Sequence, residues 1–320
     1  MSIVYFLFNQ TLLFAIPLMI VALGAMFSER GGVVNLALEG IMVIGAFSGI
    51  FFMNWAQTNQ VLSGMPLLFT SMAIAAIAGL LFSMLHAFAA INLAADQTIS
   101  GTALNILGAG LAIFIAKTVQ DGAQNISFTN EFRIESIPGL GSIPVLGDLL
   151  FKNCYITTFL GFLLLAFSWY LLMKTKFGLH LRSCGENPQA ADAAGISVYK
   201  TRYAGVALSG ILAGVGGLIY IIPISTEFTG TVAGYGFLAL AVMIFGNYSP
   251  LRIGGAAFFF GFTKTISFAY SSIPFIAKLS LPDTFYKLIP YVATLILLAF
   301  TSKNSSAPRA DGIPYDKSRR

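Results

Sequence analysis

The feature that most narrows the folds open to this chain is the stretch from Ile3 to Phe27, which runs without one charged side chain. A helix needs about 20 apolar residues to cross the hydrocarbon core of a bilayer, so this stretch is long enough to span. Further apolar runs follow, and the candidate spans are 4–27, 33–53, 66–92, 98–116, 154–173, 203–222, 236–247, 253–273 and 287–301. In lipid the backbone must satisfy its own hydrogen bonds, which leaves helices as the form for such runs. Charged residues make up 10% of the 320-residue chain against roughly 25% in a soluble domain. The expectation is an all-α polytopic membrane bundle of eight to ten helices. Segment 236–247 is short for a span and reads as a broken helix or as one continuous with 225–235. Ser28–Gly32 reads as a loop or an intramembrane kink. The N-terminal run lacks a basic leader region, so it reads as a span and not as a removable signal.

Orientation comes from the basic residues. Loop 174–202 carries Lys174, Lys176, Arg182, Lys200 and Arg202 against Glu186 and Asp192. The tail carries Lys303, Arg309, Lys317, Arg319 and Arg320 against Asp311 and Asp316. Segment 118–153 carries Arg133 and Lys152 against four acids. The positive-inside bias therefore puts the loop and the C-terminus in the cytoplasm and 118–153 outside. Four spans separate loop from tail, as a shared side requires. The organisation expected is a membrane domain 1–302 and a cytoplasmic tail 303–320. The net charge of +5 is explained by these two clusters and indicates no nucleic-acid partner.

Within the loop, 187–195 reads as a complete short helix. Asn187 is a good N-cap, Pro188 suits the first helical position, alanines fill the body and Gly195 can take the left-handed stop. Such a smooth turn either lies on the membrane surface or offers a partner close approach. Gly205, Ser209, Ala213 and Gly217 recur every fourth residue, with Gly210 and Gly214 one position along, a stripe that lets helices pack closely inside one bundle. The external segment 118–153 reads as a partner platform or a simple linker.

Catalytic constellations are missing. There is no Walker-type phosphate loop, and His86 and His180 have no second ligand at metal-binding spacing, so neither a metal nor a cofactor is expected. Cys154 and Cys184 flank one span and cannot pair. Gly234–Ala239 fits a dinucleotide fingerprint only formally, because it opens a membrane segment. Polar residues at membrane depth are expensive and tend to mark pathways. Asn35 and Glu39 at i, i+4, together with Thr102, Asn105 and Lys264, are the substrate-path candidates; for each, bonding a neighbouring helix is the plainer role. With Glu39 as an ion ligand, an ion-coupled secondary transporter remains an alternative.

Several of these segments resemble one family. Ser28-Glu29-Arg30-Gly31-Gly32-Val33-Val34-Asn35-Leu36-Ala37-Leu38-Glu39-Gly40 is similar to the opening motif of ATP-binding-cassette (ABC) importer permeases for simple sugars, nucleosides and branched-chain amino acids. Gly185 through Ile196 resembles that family's cytoplasmic loop. Asp96–Asn105, Gly236–Ala241 with Ile244–Gly246, and the tail Ala307–Asp316 look closest to the nucleoside branch. Leu36-Ala37-Leu38 and Tyr235 depart from the usual pattern. The resemblance implies a transport subunit, not an enzyme, that carries a small polar solute by alternating access. Its implied partners are cytoplasmic ABC ATPase subunits, a second permease and an extracellular or periplasmic solute-binding lipoprotein. It also implies that Glu186, Asn187, Pro188, Ala190, Ala191, Asp192 and Gly195 form the ATPase-coupling segment. A nucleoside is the expected substrate and a simple sugar the alternative.

Overall fold

The chain folds around α8 (Val198–Ile221), which packs against α1 (Ser2–Arg30), α2 (Leu38–Thr58) and α3 (Gly64–Ala87). The structure is a computed structural model and describes residues 2–145, 147–272, 282–301 and 306–317. Six helices are long and apolar enough to cross a membrane: α1, α2, α3 with its π-helical end at Phe88–Asn92, α4 (Gln97–Val119), α5 (Ile156–Lys174) and α8. The count of eight to ten is not reached by these criteria among the described residues. Of the remaining expected spans, α9 (Tyr235–Phe245) is short. The others are α10 (Pro250–Ala269) and α11 (Asp283–Thr301).

Why α8 sits at the centre follows from its small residues. A methyl group at Gly45 of α2 would overlap the Gly214 backbone, and one at Gly79 of α3 would overlap the Gly210 carbonyl. Gly205 and Ser209 lie against the α1 backbone at Phe27 and Gly24. Apolar burial gives no net drive in lipid, so contact between backbones and the dispersion it brings must hold the helices together. The stripe thus serves packing inside one bundle, as its periodicity indicated.

The two ends of the bundle are distinct. At one end, Asn54 and Gln57 of α2 bond the carbonyls of Ser127 and Thr129, in segment 118–153. That segment holds β1 (Ile126–Ser127) and β2 (Arg133–Ser136), with β3 (Lys152–Tyr155) at its edge. β1 pairs antiparallel with β4 (Glu227–Phe228), and β2 with β3. At the other end, loop 174–202 folds into α6 (Lys176–Glu186) and α7 (Pro188–Ala193). The tail docks there too: Ala310 N–H donates to the Gly185 carbonyl at 2.8 Å, and Arg202 donates to the Ile313 carbonyl at 3.0 Å. Loop and tail therefore share one end, as the basic residues required. Lys303, Arg319 and Arg320 lie outside the described residues. Cys154 and Cys184 are both free and buried.

One expected helical boundary moves, and the expected broken helix is found at α9. Gly31–Ala37 is not helical, so α2 starts later than the expected span at 33. Its first turn lies inside the bundle, where Gly40 abuts Leu104 and Asn105 of α4. From the opposite end, the chain after α8 re-enters and starts α9 at Gly234, which is left-handed with φ +79°. Both starts meet at Glu39.

Candidate substrate path and coupling segment

Broken helices in a membrane leave backbone N–H and C=O groups that water cannot reach, and each must find a partner. Around Gly31–Ala37 the partners include side chains of α3 and α4 and the segment's own Asn35. His86 of α3 donates from Nε2 to the Val34 carbonyl at 2.8 Å, since a carbonyl can only accept. Gln97 accepts from Val34 N–H at 2.7 Å. Asn105 accepts from Gly40 N–H and donates to the Leu36 carbonyl, both at 2.8 Å. Asn35 accepts from Ala37 N–H at 3.1 Å and donates to Ser209 Oγ at 2.9 Å. Asn35 and Asn105 are thus committed to holding the start of α2. Asn35 also precedes that helix, so it and Glu39 do not share a helical face as their spacing suggested.

Glu39 does the same for α9. Its Oε1 accepts from Gly234 N–H at 2.8 Å and its Oε2 from Gly236 N–H at 2.7 Å. A carboxylate at a helix N-terminus meets the unpaired N–H groups and the positive end of the dipole together. Glu39 therefore ties the first turn of α2 to the first turn of α9.

Beside this junction lies a cavity of about 440 Å³, lined in part by Gly234, Tyr235, Phe237, Lys264, Pro290 and Thr294. Its wall is mainly apolar, and Lys264 Nζ sits 5.9 Å from the centre of the Tyr235 ring. Of the expected path residues, Lys264 alone lines it; Glu39 approaches it through Gly234. Thr102 bonds the Thr98 carbonyl on an exposed face of α4 and is not part of the lining. Tyr235 was marked by sequence only as a departure from the family pattern, and Pro290 and Thr294 were not singled out, because nothing along the chain shows that α9, α10 and α11 converge.

The expected coupling segment folds as its residues dictate. Asn187 Oδ1 accepts from Ala190 N–H at 3.0 Å, and Pro188 opens α7. Gly195, at φ +84°, donates to the Asp192 carbonyl at 2.9 Å while Ile196 donates to the Ala191 carbonyl at 3.0 Å. These two bonds form a Schellman stop. Glu186, Asn187, Ala190 and Gly195 are exposed, as are Gln189, Ala193 and Ala194. Pro188 and Ala191 are buried, and Ala191 packs with Cys184, Val198 and Tyr315 of its own chain. The free face is consequently Gln189, Ala190, Ala193 and Ala194, and Ala191 cannot present itself to a partner. Arg202, counted above only for its charge, is 1% exposed and holds the tail.

Residues 7–299 match the family described as "Branched-chain amino acid transport system / permease component". The chain belongs to that permease family. The permease is a multi-pass protein of the plasma membrane, in keeping with its apolar helices. It is 44% identical over 311 residues to the guanosine ABC transporter permease protein NupQ of Bacillus subtilis, covering 97% of this chain and 96% of that one. It is 43% identical over 309 residues to the nucleoside ABC transporter permease protein NupC of Lactococcus lactis, covering 96% of each. A second nucleoside ABC transporter permease protein of that organism, NupB, is 24% identical over 262 residues, 78% of this chain and 69% of the other. No solved structure matches the permease significantly.

Proposed function

We infer that this chain is the membrane-spanning permease subunit of an ABC importer for nucleosides. The observation that carries the reading is similarity along nearly the whole chain to permeases named for guanosine and nucleoside transport. ATP hydrolysis belongs to separate cytoplasmic ATPase subunits, and a solute-binding lipoprotein delivers the substrate outside. Two distinct nucleoside permeases in one organism, both similar to this chain, support pairing with a second, different permease.

The topology inferred has nine passes. It counts the six long helices with α10 and α11, each long enough to cross at 1.5 Å per residue, and α9 as a half-length pass completed by its re-entrant approach. Nine passes place the N-terminus outside and put loop 174–202 and the tail together in the cytoplasm, with 118–153 outside. In this reading the membrane domain is 1–302 and the tail 303–320.

Alternating access then takes a concrete form. The ATPase pair seats the exposed face of α7, and its closure moves loop 174–202 against the bundle. The two broken helices joined at Glu39 are the natural gate, because a junction held by two hydrogen bonds can open without unpacking the Gly45–Gly214 contact. Lys264 offers donors to the carbonyl or ring nitrogen of a nucleobase, and the apolar wall takes the ring faces. Glu39 has both oxygens on main-chain N–H groups, which argues against an ion-coupled mechanism built on it.

Ala190→Arg tests the docking face. The variant should insert and fold, yet lose co-purification with the ATPase and lower guanosine uptake at least tenfold. Wild-type uptake in that variant would overturn the assignment. Ala191→Arg is the wrong probe, since it would break the packing on Tyr315 within this chain.

A further inference from the structure

The C-terminal tail touches each part that a force from α7 would have to reach, which the basic-residue count gave no reason to expect. Tyr315 is buried with Ala191 of α7 and Cys184 of α6, and its ring meets Tyr199 edge-on at 5.5 Å between centres. Ala310 N–H bonds the Gly185 carbonyl at the end of α6. The same stretch lies on the broken segment before α2. A methyl group at Gly32 would sit 3.1 Å from the Ala310 carbonyl oxygen and 2.8 Å from Arg202 Nη2, and one at Gly312 would sit 3.4 Å from Val34. Arg202 completes the link: Nη1 bonds the Ile313 carbonyl at 3.0 Å while Nη2 faces Gly32.

Within the permease reading above, on which this rests, we propose that residues 308–315 are a tie-rod that carries the movement of α7 to Gly31–Ala37, and through it to the Glu39 junction. Two observations give the tail this role over that of a passive cover. First, α7 is a six-residue helix that rests on α6 and the first residues of α8, and Tyr315 of the tail closes the same buried cluster. Second, one short stretch of the tail contacts both the α6–α7 segment and the broken segment, with Pro308, Ala310 and Tyr315 buried along it. The stretch is two successive turns, closed by Asp311 N–H on the Pro308 carbonyl and Ile313 N–H on the Ala310 carbonyl and pinned at Gly185 and Arg202, so it cannot lengthen without breaking those bonds and transmits displacement. Tyr315 and Arg202 are accordingly positioning residues, acting on the gate through the backbone they hold.

The test uses the full importer, with both permeases, the ATPases and the solute-binding protein, reconstituted in vesicles with labelled guanosine. Three quantities are read: ATPase bound per permease, ATP hydrolysed, and guanosine taken up per ATP. Tyr315→Ala and Arg202→Lys should keep the ATPase bound and hydrolysis within about threefold, while uptake per ATP falls at least tenfold. Tyr315→Phe, which keeps the ring, should restore it. A role confined to folding would lower all three quantities together, and that result overturns the proposal. So does uptake per ATP within twofold of wild type in both Tyr315→Ala and Arg202→Lys. If the wild-type assembly binds no ATPase and takes up no guanosine, the functional reading fails first and this inference falls with it.

Discussion

Replacing Glu39 with alanine should release the first turn of α9 while leaving the rest of the bundle closed. In the wild type the carboxylate takes two N–H groups, from Gly234 at 2.8 Å and Gly236 at 2.7 Å. Hydrogen bonds to a charged acceptor contribute about 1.5–3 kcal/mol each. Loss of the charge at the helix start adds about 0.3–1 kcal/mol. The adjacent cavity lets water re-satisfy part of this, so the lower end applies, about 3 kcal/mol for the junction. At 1.4 kcal/mol per decade, local opening becomes about 100-fold more frequent. Hydrogen exchange on the purified permease, read at residues 234–237, measures it directly. Glu39→Gln keeps one acceptor and should fall between wild type and Glu39→Ala. Exchange at these amides within threefold of wild type in Glu39→Ala would refute the capping argument, whatever happened to transport. Faster exchange throughout α1, α2 and α8 would refute the claim that the effect is local.

Other perturbations follow from the same contacts. Asn105→Ala strands Gly40 N–H and the Leu36 carbonyl, at about 1–3 kcal/mol each, and should lower the thermal midpoint of the purified permease more than Thr102→Ala, whose hydroxyl bonds only its own helix. Gly214→Val would drive a side chain into the backbone of α3 and should yield no folded protein on size exclusion, whereas Gly255→Val meets open space and should behave as wild type. Burial raises the Asp311 carboxyl from 3.8 to about 6, with its side-chain bond to Glu29, the Gly312 N–H and the charge of Arg202 pulling partly the other way. A raised carboxyl binds its proton more readily when the tail is docked, so docking is strongest below about 4 and weakens as pH rises to about 6. Limited proteolysis of the tail should therefore slow in acid, and Asp311→Asn should flatten that dependence. The same protection from pH 4 to 7 in the wild type would refute it.

Much of this was legible along the chain for simple reasons. Spans are set by bilayer thickness, and the shared end of loop 174–202 and the tail by where lysine and arginine fall, both one-dimensional properties. The α7 helix was readable to the residue because a cap, a first-turn proline and a glycine stop act within a few positions. α6 went unread because its apolar face becomes meaningful only beside Gly31 and Gly205, where Leu181 lodges. The intramembrane asparagines were visible, but their purpose was not. A polar side chain marks a cost in lipid, and sequence does not say whether that cost is offset by a substrate or by a stranded backbone. Only the tertiary structure brings His86, Gln97, Asn105 and Ser209 from three helices to one unwound segment and its flank, and aims Glu39 at a helix 195 residues further on. Sequence alone determined that this chain crosses the membrane and where it carries a small capped helix between two spans. Which polar groups serve the backbone, which face the cavity, and that Ala191 and Tyr315 belong to each other were decided by folding, since those partners are fixed by packing and not by spacing.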